Sequence, residues 1–346
     1  MAMLAGGLLL GAIAFAGLYF HYTAWADTLV LEADQSRTVV IERNTSWPGV
    51  IAALSEARLV KRPMYFDYWG RKQGLSGAVR AGTFRLAGPM RLEELDAELR
   101  RGGMAEEVTV TFPEGFTIFH VAERVESSGL ASREDFLRAA RDPDTLLAAG
   151  IEAESFEGYL FPDTYRFEQG TSAAAIVLRM HRRWKGVWEE LKSRHAHSIE
   201  ALGEQYKFGQ HELVILASLV ERETGVDDER ALVSRVFLNR LDLNMRLQTD
   251  PTCVYGEETY MLVPTPAMCR DPLNRYSTYV IHGLTPGPIA NPGRASLDAA
   301  LAPSTQPDAN KLLYFVSRRD GTGRHHFSKN YDEHRQAIRR YLKSGK

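Results

Sequence analysis

Between Leu213 and Val220 the chain reads LVILASLV, apolar at every position except Ser218. A helical run without a polar face cannot lie on a surface, so it demands a domain large enough to enclose it on all sides. Glu221-Arg222-Glu223 come directly after it, Gly225 supplies a stop, and Asp227-Asp228-Glu229 open the next helix. The pattern predicts a buried helix with carboxylates at its C-terminal end, beside a helix–helix corner that could border a cleft. The negative end of the helix dipole and apolar surroundings both disfavour an ionised carboxylate there, which makes Glu221 the candidate general acid. The competing reading is a solvated glutamate, or one paired with Arg222, Arg230 or Arg235.

The 346 residues, 44% hydrophobic and 25% charged, are enough for two domains, and a formal net charge of -2 argues against nucleic acid as a main partner. The two cysteines, Cys253 and Cys269, are too few for a disulfide framework and match no metal-ligand spacing, although in an oxidising compartment they could close one loop. The pattern calls for no metal and no cofactor. Met1 to Ala26 carries no charged side chain, and Met3 to Tyr22 is almost continuously apolar, long enough to cross a hydrocarbon layer. The basic start of a signal peptide is missing, so an uncleaved transmembrane anchor over residues 3–25 is expected. Tyr19, Phe20, Tyr22 and Trp25 form its interfacial belt, and the acidic flank Asp27, Glu32 and Asp34 favours export of the long C-terminal part.

Beyond the anchor, Thr38–Arg43 reads as a strand, Trp47–Leu59 and Arg62–Lys72 as helices, Val79–Leu86 as a strand with a glycine kink, and Arg91–Arg101 as a helix. This is a small β-α-α-β-α module over residues 36–104. Its Phe66, Tyr68, Trp69 and Phe84 are either a sugar-stacking platform or core. The larger α+β part, residues 105–346, begins with a strand from Val108 and helices over 118–127 and 132–141. The aromatic segment Phe156–Phe167 is a plausible cleft wall, with Tyr159 and Tyr165 offering stacking surface and hydroxyls. A long helix over 173–191 precedes the central one. Gln248, Thr249 and Asp250 lie in a polar loop that Pro251 keeps from being helical, and Tyr276–His282 looks extended. The stiff Gly283–Gly293 loop suits the lip of a groove. Leu312–Ser317 and His325–Ser328 form a hairpin, and a final helix covers about 331–342.

LASLVERETG, EGYLFPDTYRF, MRLQTDPT, GLTPGPIANPG, LYFVSRRDGTGRHHFS, PEGFTI and RAGTFRL occur here along nearly the whole chain past the anchor. In these motifs and their order the chain resembles the endolytic murein transglycosylase family, membrane-anchored and MltG-type. The resemblance implies a LysM-like module followed by an α+β lytic transglycosylase domain on the outer, periplasmic side of the inner membrane. It also implies internal cleavage of peptidoglycan glycan strands beside the synthases that make them, ending strand elongation. The family's catalytic glutamate falls on Glu221, with Gln248, Thr249, Asp250, Tyr255 and Tyr159 as substrate-binding residues. One carboxyl would protonate the oxygen between MurNAc and GlcNAc, and the MurNAc C6 hydroxyl would close on C1 to leave a 1,6-anhydro end. Glu223, two residues on, is turned away from Glu221 on a helix and reads as supporting. The chain departs from the family at Ser277, where an Asn is usual, and in a longer loop between the cysteines. A membrane-tethered glycan-binding scaffold and a hydrolytic muramidase using Asp250 are the alternatives.

Overall fold

The computed structural model describes residues 16–104 and 107–342, and the chain divides into two compact units, Met1–Glu107 and Val108–Lys346. Most of the expected span over 3–25 lies outside the described residues. Its described end, residues 16–26, is helical, and among the described residues no helix is long and apolar enough to cross a membrane.

In the first unit, Ser36–Ile41 pairs antiparallel with Gly82–Ala87, in a register running from Ser36 opposite Ala87 to Ile41 opposite Gly82. Helices Trp47–Glu56, Pro63–Lys72 and Leu92–Arg101 complete it. The apolar sides of strands and helices meet in one core that includes Ile41, Leu54, Phe66, Phe84, Leu95 and Leu99. Of the four aromatics in question, Phe66, Trp69 and Phe84 are buried and only Tyr68 is exposed. Three of the four are therefore core, as Trp47, Phe66 and Trp69 stacking in series makes plain. The glycine kink is steric: a side chain at Gly82, whose φ is +135°, would meet the Gly103 backbone at 2.7 Å.

The second unit is mixed α+β. The strand Glu107–Thr111 pairs with Thr164–Glu168 and the hairpin Tyr314–Ser317 pairs with His325–Ser328, while helices supply most of the mass. At its centre is the helix Gln210–Glu223, in which every residue from Leu213 to Val220 is buried. It packs against helices Asp227–Asp242 and Arg294–Leu301. Its single polar interior residue is satisfied twice, since the Ser218 hydroxyl donates to the Ile215 carbonyl at 2.7 Å and accepts from the Ile289 N–H at 3.1 Å.

That second bond ties the glycine–proline loop to the central helix. Asn291 in the same loop fills all its hydrogen-bonding positions. Its Oδ1 accepts from the Gly158 and Leu160 N–H groups at 2.9 and 3.0 Å, and its Nδ2 donates to the Phe116 carbonyl and to Glu157 at 3.0 and 2.8 Å. Residues 287–293 are consequently buried, a structural clasp more than a free lip.

Three segments differ from the pattern-based reading. Residues 276–282 form turns, not an extended piece, because the Ser277 carbonyl accepts from the Val280 and Ile281 N–H groups at 2.9 and 3.0 Å. Helix Pro143–Ala149 is short, started by the Asp142 carboxylate on the Thr145 N–H at 2.9 Å. Helix Ala196–Tyr206 buries only Leu202, so it carries little apolar periodicity to read. Cys253 and Cys269 are joined by a disulfide.

Ser218→Ala leaves the buried Ile289 N–H without a partner and should cost about 1–3 kcal/mol of stability. Urea unfolding of the purified protein checks this, and a loss under about 0.5 kcal/mol would contradict it.

Candidate active site

The central helix ends at Glu223, where Thr224 turns extended and its hydroxyl accepts from the Val226 N–H at 3.1 Å. Glu223 there borders a cavity of about 380 Å³ that it shares with Arg240, Gln248, Asp250, Tyr279 and His325. Its carboxylate accepts the Thr249 hydroxyl. Burial, and next the charge of Asp250, push the Glu223 carboxyl above the ordinary carboxylate range, with the Thr249 bond, His325 and Arg240 opposing.

Three threonines hold the loop beneath it. The Thr249 N–H donates to the Thr278 hydroxyl at 2.9 Å, the Thr252 hydroxyl donates to the Thr249 carbonyl at 2.6 Å, and the Thr252 and Thr278 hydroxyls lie 3.0 Å apart. Gln248 sits at φ +47°, a left-handed conformation a glutamine adopts only when its surroundings enforce it. Its N–H donates to the Thr278 carbonyl at 3.2 Å. The Tyr279 hydroxyl donates to Asp250 at 2.5 Å. Ser277 is buried, its hydroxyl donating to the Cys269 carbonyl at 2.6 Å, so it anchors the disulfide-closed loop and does not face the cavity.

Glu221 does not line this cavity. Two residues of helix turn its side chain about 200° from that of Glu223, and its Oε2 accepts the Gly293 N–H at 3.0 Å. Gly115 lies against it, with space for a Cβ 3.6 Å from the Glu221 Cγ. Glu114 covers Gly293 so closely that a Cβ there would fall 1.9 Å from the Glu114 Oε1. Burial and then the charge of Glu221 push the Glu114 carboxyl up. The structure thus separates Glu221 from Gln248 and Asp250 and brings Glu223 to them. The reason is helical phase, which the all-apolar run does not disclose.

The two tyrosines expected in the groove lie elsewhere. Tyr159 is 1% exposed, its ring against Trp184 at 4.8 Å and its hydroxyl 2.8 Å from His211 Nδ1, so it is core and not stacking surface. Tyr255 faces a second cavity of about 170 Å³ with Tyr276 and Arg275. Its hydroxyl donates to Glu157 Oε2 at 3.1 Å. Glu157 is enclosed and also accepts the Ile118 N–H at 2.9 Å, starting the Ile118–Ser127 helix. Burial outweighs these bonds and pushes its carboxyl up to about 8. Pattern alone does not single out Glu157 or Tyr279, and it offers His325 only within a His325, His326 and His334 group that has no metal-ligand spacing; the EGYLFPDTYRF, STY and HHFS motifs that contain the three residues are the signal the sequence offers.

A model of the YceG-like family matches residues 39–340. The chain belongs to the YceG-like family. The endolytic murein transglycosylase of Bacillus subtilis is 30% identical over 333 residues, covering 91% of this chain and 88% of that protein. The protein of that name from Streptococcus pneumoniae serotype 2 is 27% identical, covering 96% of this chain and 64% of its own longer length. The 2.6 Å crystal structure of a yceG-like protein from Listeria monocytogenes matches 88% of this chain and 99% of its own, with a TM-score of 0.56 and 26% identity. The YceG-like match takes in the residues of both cavities.

The Glu157 carboxyl ionises near 4.5 when unfolded and near 8 when folded, so the fold is favoured most below 4.5 and loses stability as pH rises toward about 8. The stability of wild type minus that of Glu157→Gln should decline across that window by an amount on the order of 5 kcal/mol. Denaturation midpoints measured at a series of pH values check this; a flat difference would contradict it.

Proposed function

We propose that this chain is an endolytic murein transglycosylase, a lyase that cuts the MurNAc–GlcNAc bond within glycan strands and leaves 1,6-anhydroMurNAc ends. Glu223 is the general acid. The observation that carries this is a half-buried carboxyl at the end of an enclosed helix, raised above the ordinary carboxylate range and sharing one cavity with Gln248 and Asp250. The acid gives its proton to the glycosidic oxygen as the C1–O4 bond breaks, and as the MurNAc O6 bonds to C1 the carboxylate left on Glu223 takes the O6 proton and is a carboxylic acid again. Thr249 fixes the Glu223 carboxyl, and Gln248 and the Asp250–Tyr279 pair offer hydrogen bonds to sugar hydroxyls. Because O6 is the nucleophile, no water enters.

Residues 3–25 anchor the chain in the inner membrane, 36–104 form a LysM-like module, and 105–346 act on the periplasmic side, close to synthases whose strands they terminate. The uncharged N-terminus and the strand–helix–helix–strand–helix order of the first unit support this. A muramidase reading has one observation behind it, the presence of a second carboxylate, Asp250, in the cavity.

Mass spectrometry of products from purified glycan strands tests the assignment. Wild type should yield anhydro ends, Glu223→Gln should lose at least 10³-fold in rate, on the order of 4 kcal/mol of barrier, and Glu221→Gln should stay within about tenfold of wild type. Activity lost in Glu221→Gln and kept in Glu223→Gln would return the role to Glu221. Reducing ends would favour the hydrolase.

A further inference from the structure

We propose that the Cys253–Cys269 disulfide is a positioning element for the glycan-binding cavity: it holds Asp250 and Tyr279 against each other, so that closing it tightens strand binding. This rests on the reading of Asp250 and Tyr279 as groups that bond to sugar hydroxyls.

Asp250 and Tyr279 line the cavity that holds Glu223. They meet across a separation of 29 residues, the Tyr279 hydroxyl donating to Asp250 at 2.5 Å. The chain between them has little apolar burial to hold it. Met261, Leu262, Val263 and Leu273 are exposed, and the core of this region consists of Cys253, Val254 and Cys269, with Met268 and Tyr279 packed against it. Three buried residues are a small return for ordering so long a loop. A cross-link spanning 16 of those residues lowers the requirement, because it removes the open forms of the loop.

Each end of the cross-link leads to one member of the pair. Cys253 stands in the 3-10 turn Asp250–Val254, whose first residue is Asp250, and its carbonyl accepts from Asn274 Nδ2 at 2.9 Å. Cys269 ends the short helix Pro266–Cys269, and its carbonyl accepts the Ser277 hydroxyl at 2.6 Å. The Ser277 hydroxyl in turn accepts the Tyr279 N–H at 3.4 Å. Asp250, Cys253, Cys269, Ser277 and Tyr279 therefore form one closed ring. Its disulfide is covalent, while its other cross-chain links are single hydrogen bonds that water can replace. The Tyr279 ring also packs on the cysteines, so opening the bond loosens both its ring and its hydroxyl. Glu223 belongs to the central helix, outside this ring, and stays in place. The loss then falls on sugar binding and not on the proton transfers.

The test uses the purified full-length chain, wild type and the double variant Cys253→Ala with Cys269→Ala, each with and without Tyr279→Phe. The readouts are kcat and KM on glycan strands, product ends by mass spectrometry and the thermal midpoint. Loss of the cross-link should raise KM about tenfold and leave kcat within about threefold. Tyr279→Phe should raise KM when the cross-link is present and add little when it is absent, because both changes remove the same positioned hydroxyl. Both cysteines are buried, so reduction of wild type serves as a second arm, needed if the double variant folds poorly. A phosphine and one water convert the disulfide to two thiols and a phosphine oxide, alkylation counts the thiols, and KM should rise on reduction and return on reoxidation. An unchanged KM beside a lowered thermal midpoint makes the bond structural alone and overturns the proposal. Full additivity with Tyr279→Phe overturns it too. Reducing ends from wild type overturn the transglycosylase reading alone, since the KM comparison still decides the role of the disulfide.

Discussion

The second unit depends on enclosure of the Leu213–Val220 run. Eight consecutive buried residues leave that helix no solvent face, so partners must arrive from every direction. They do: helices Asp227–Asp242 and Arg294–Leu301 pack on it, and the glycine–proline loop is pinned to Ser218. The same enclosure fixes the chemistry. A carboxyl at the end of such a helix loses part of its hydration, and that loss pushes the Glu223 carboxyl above the ordinary carboxylate range.

Polar groups near this core are placed in closed sets. Thr249, Thr252 and Thr278 bond to one another and to backbone, and the Thr249 hydroxyl donates a hydrogen bond to Glu223. Asn291 satisfies two N–H groups, a carbonyl and the Glu157 carboxyl at once. Such sets rigidify the loops that bring Gln248 and Asp250 to the cavity, and a rigid loop loses little entropy when a sugar binds.

The sequence is legible where burial imposes a pattern. The central helix, the 314–328 hairpin and the final helix follow from apolar periodicity and glycine stops, and Gln248 and Asp250 are recognisable as polar loop residues. The acid is not. A helix that is apolar all round has no moment to orient it, so nothing local distinguishes Glu221 from Glu223, which point roughly 200° apart. Only the fold places Gly293 beside one and Thr249 beside the other. Tyr159 escapes a sequence reading for a related reason, since an aromatic ring with a hydroxyl suits a groove and a core equally until its neighbours, here Trp184 and His211, are known.

A crystal structure of Glu223→Gln with an uncut glycan strand bound decides between the two glutamates. The scissile oxygen should lie within hydrogen-bonding distance of the residue 223 carboxamide, with the strand over Gln248 and Asp250. A strand seated instead against Gly115 and Gly293, with that oxygen at Glu221, would contradict the assignment.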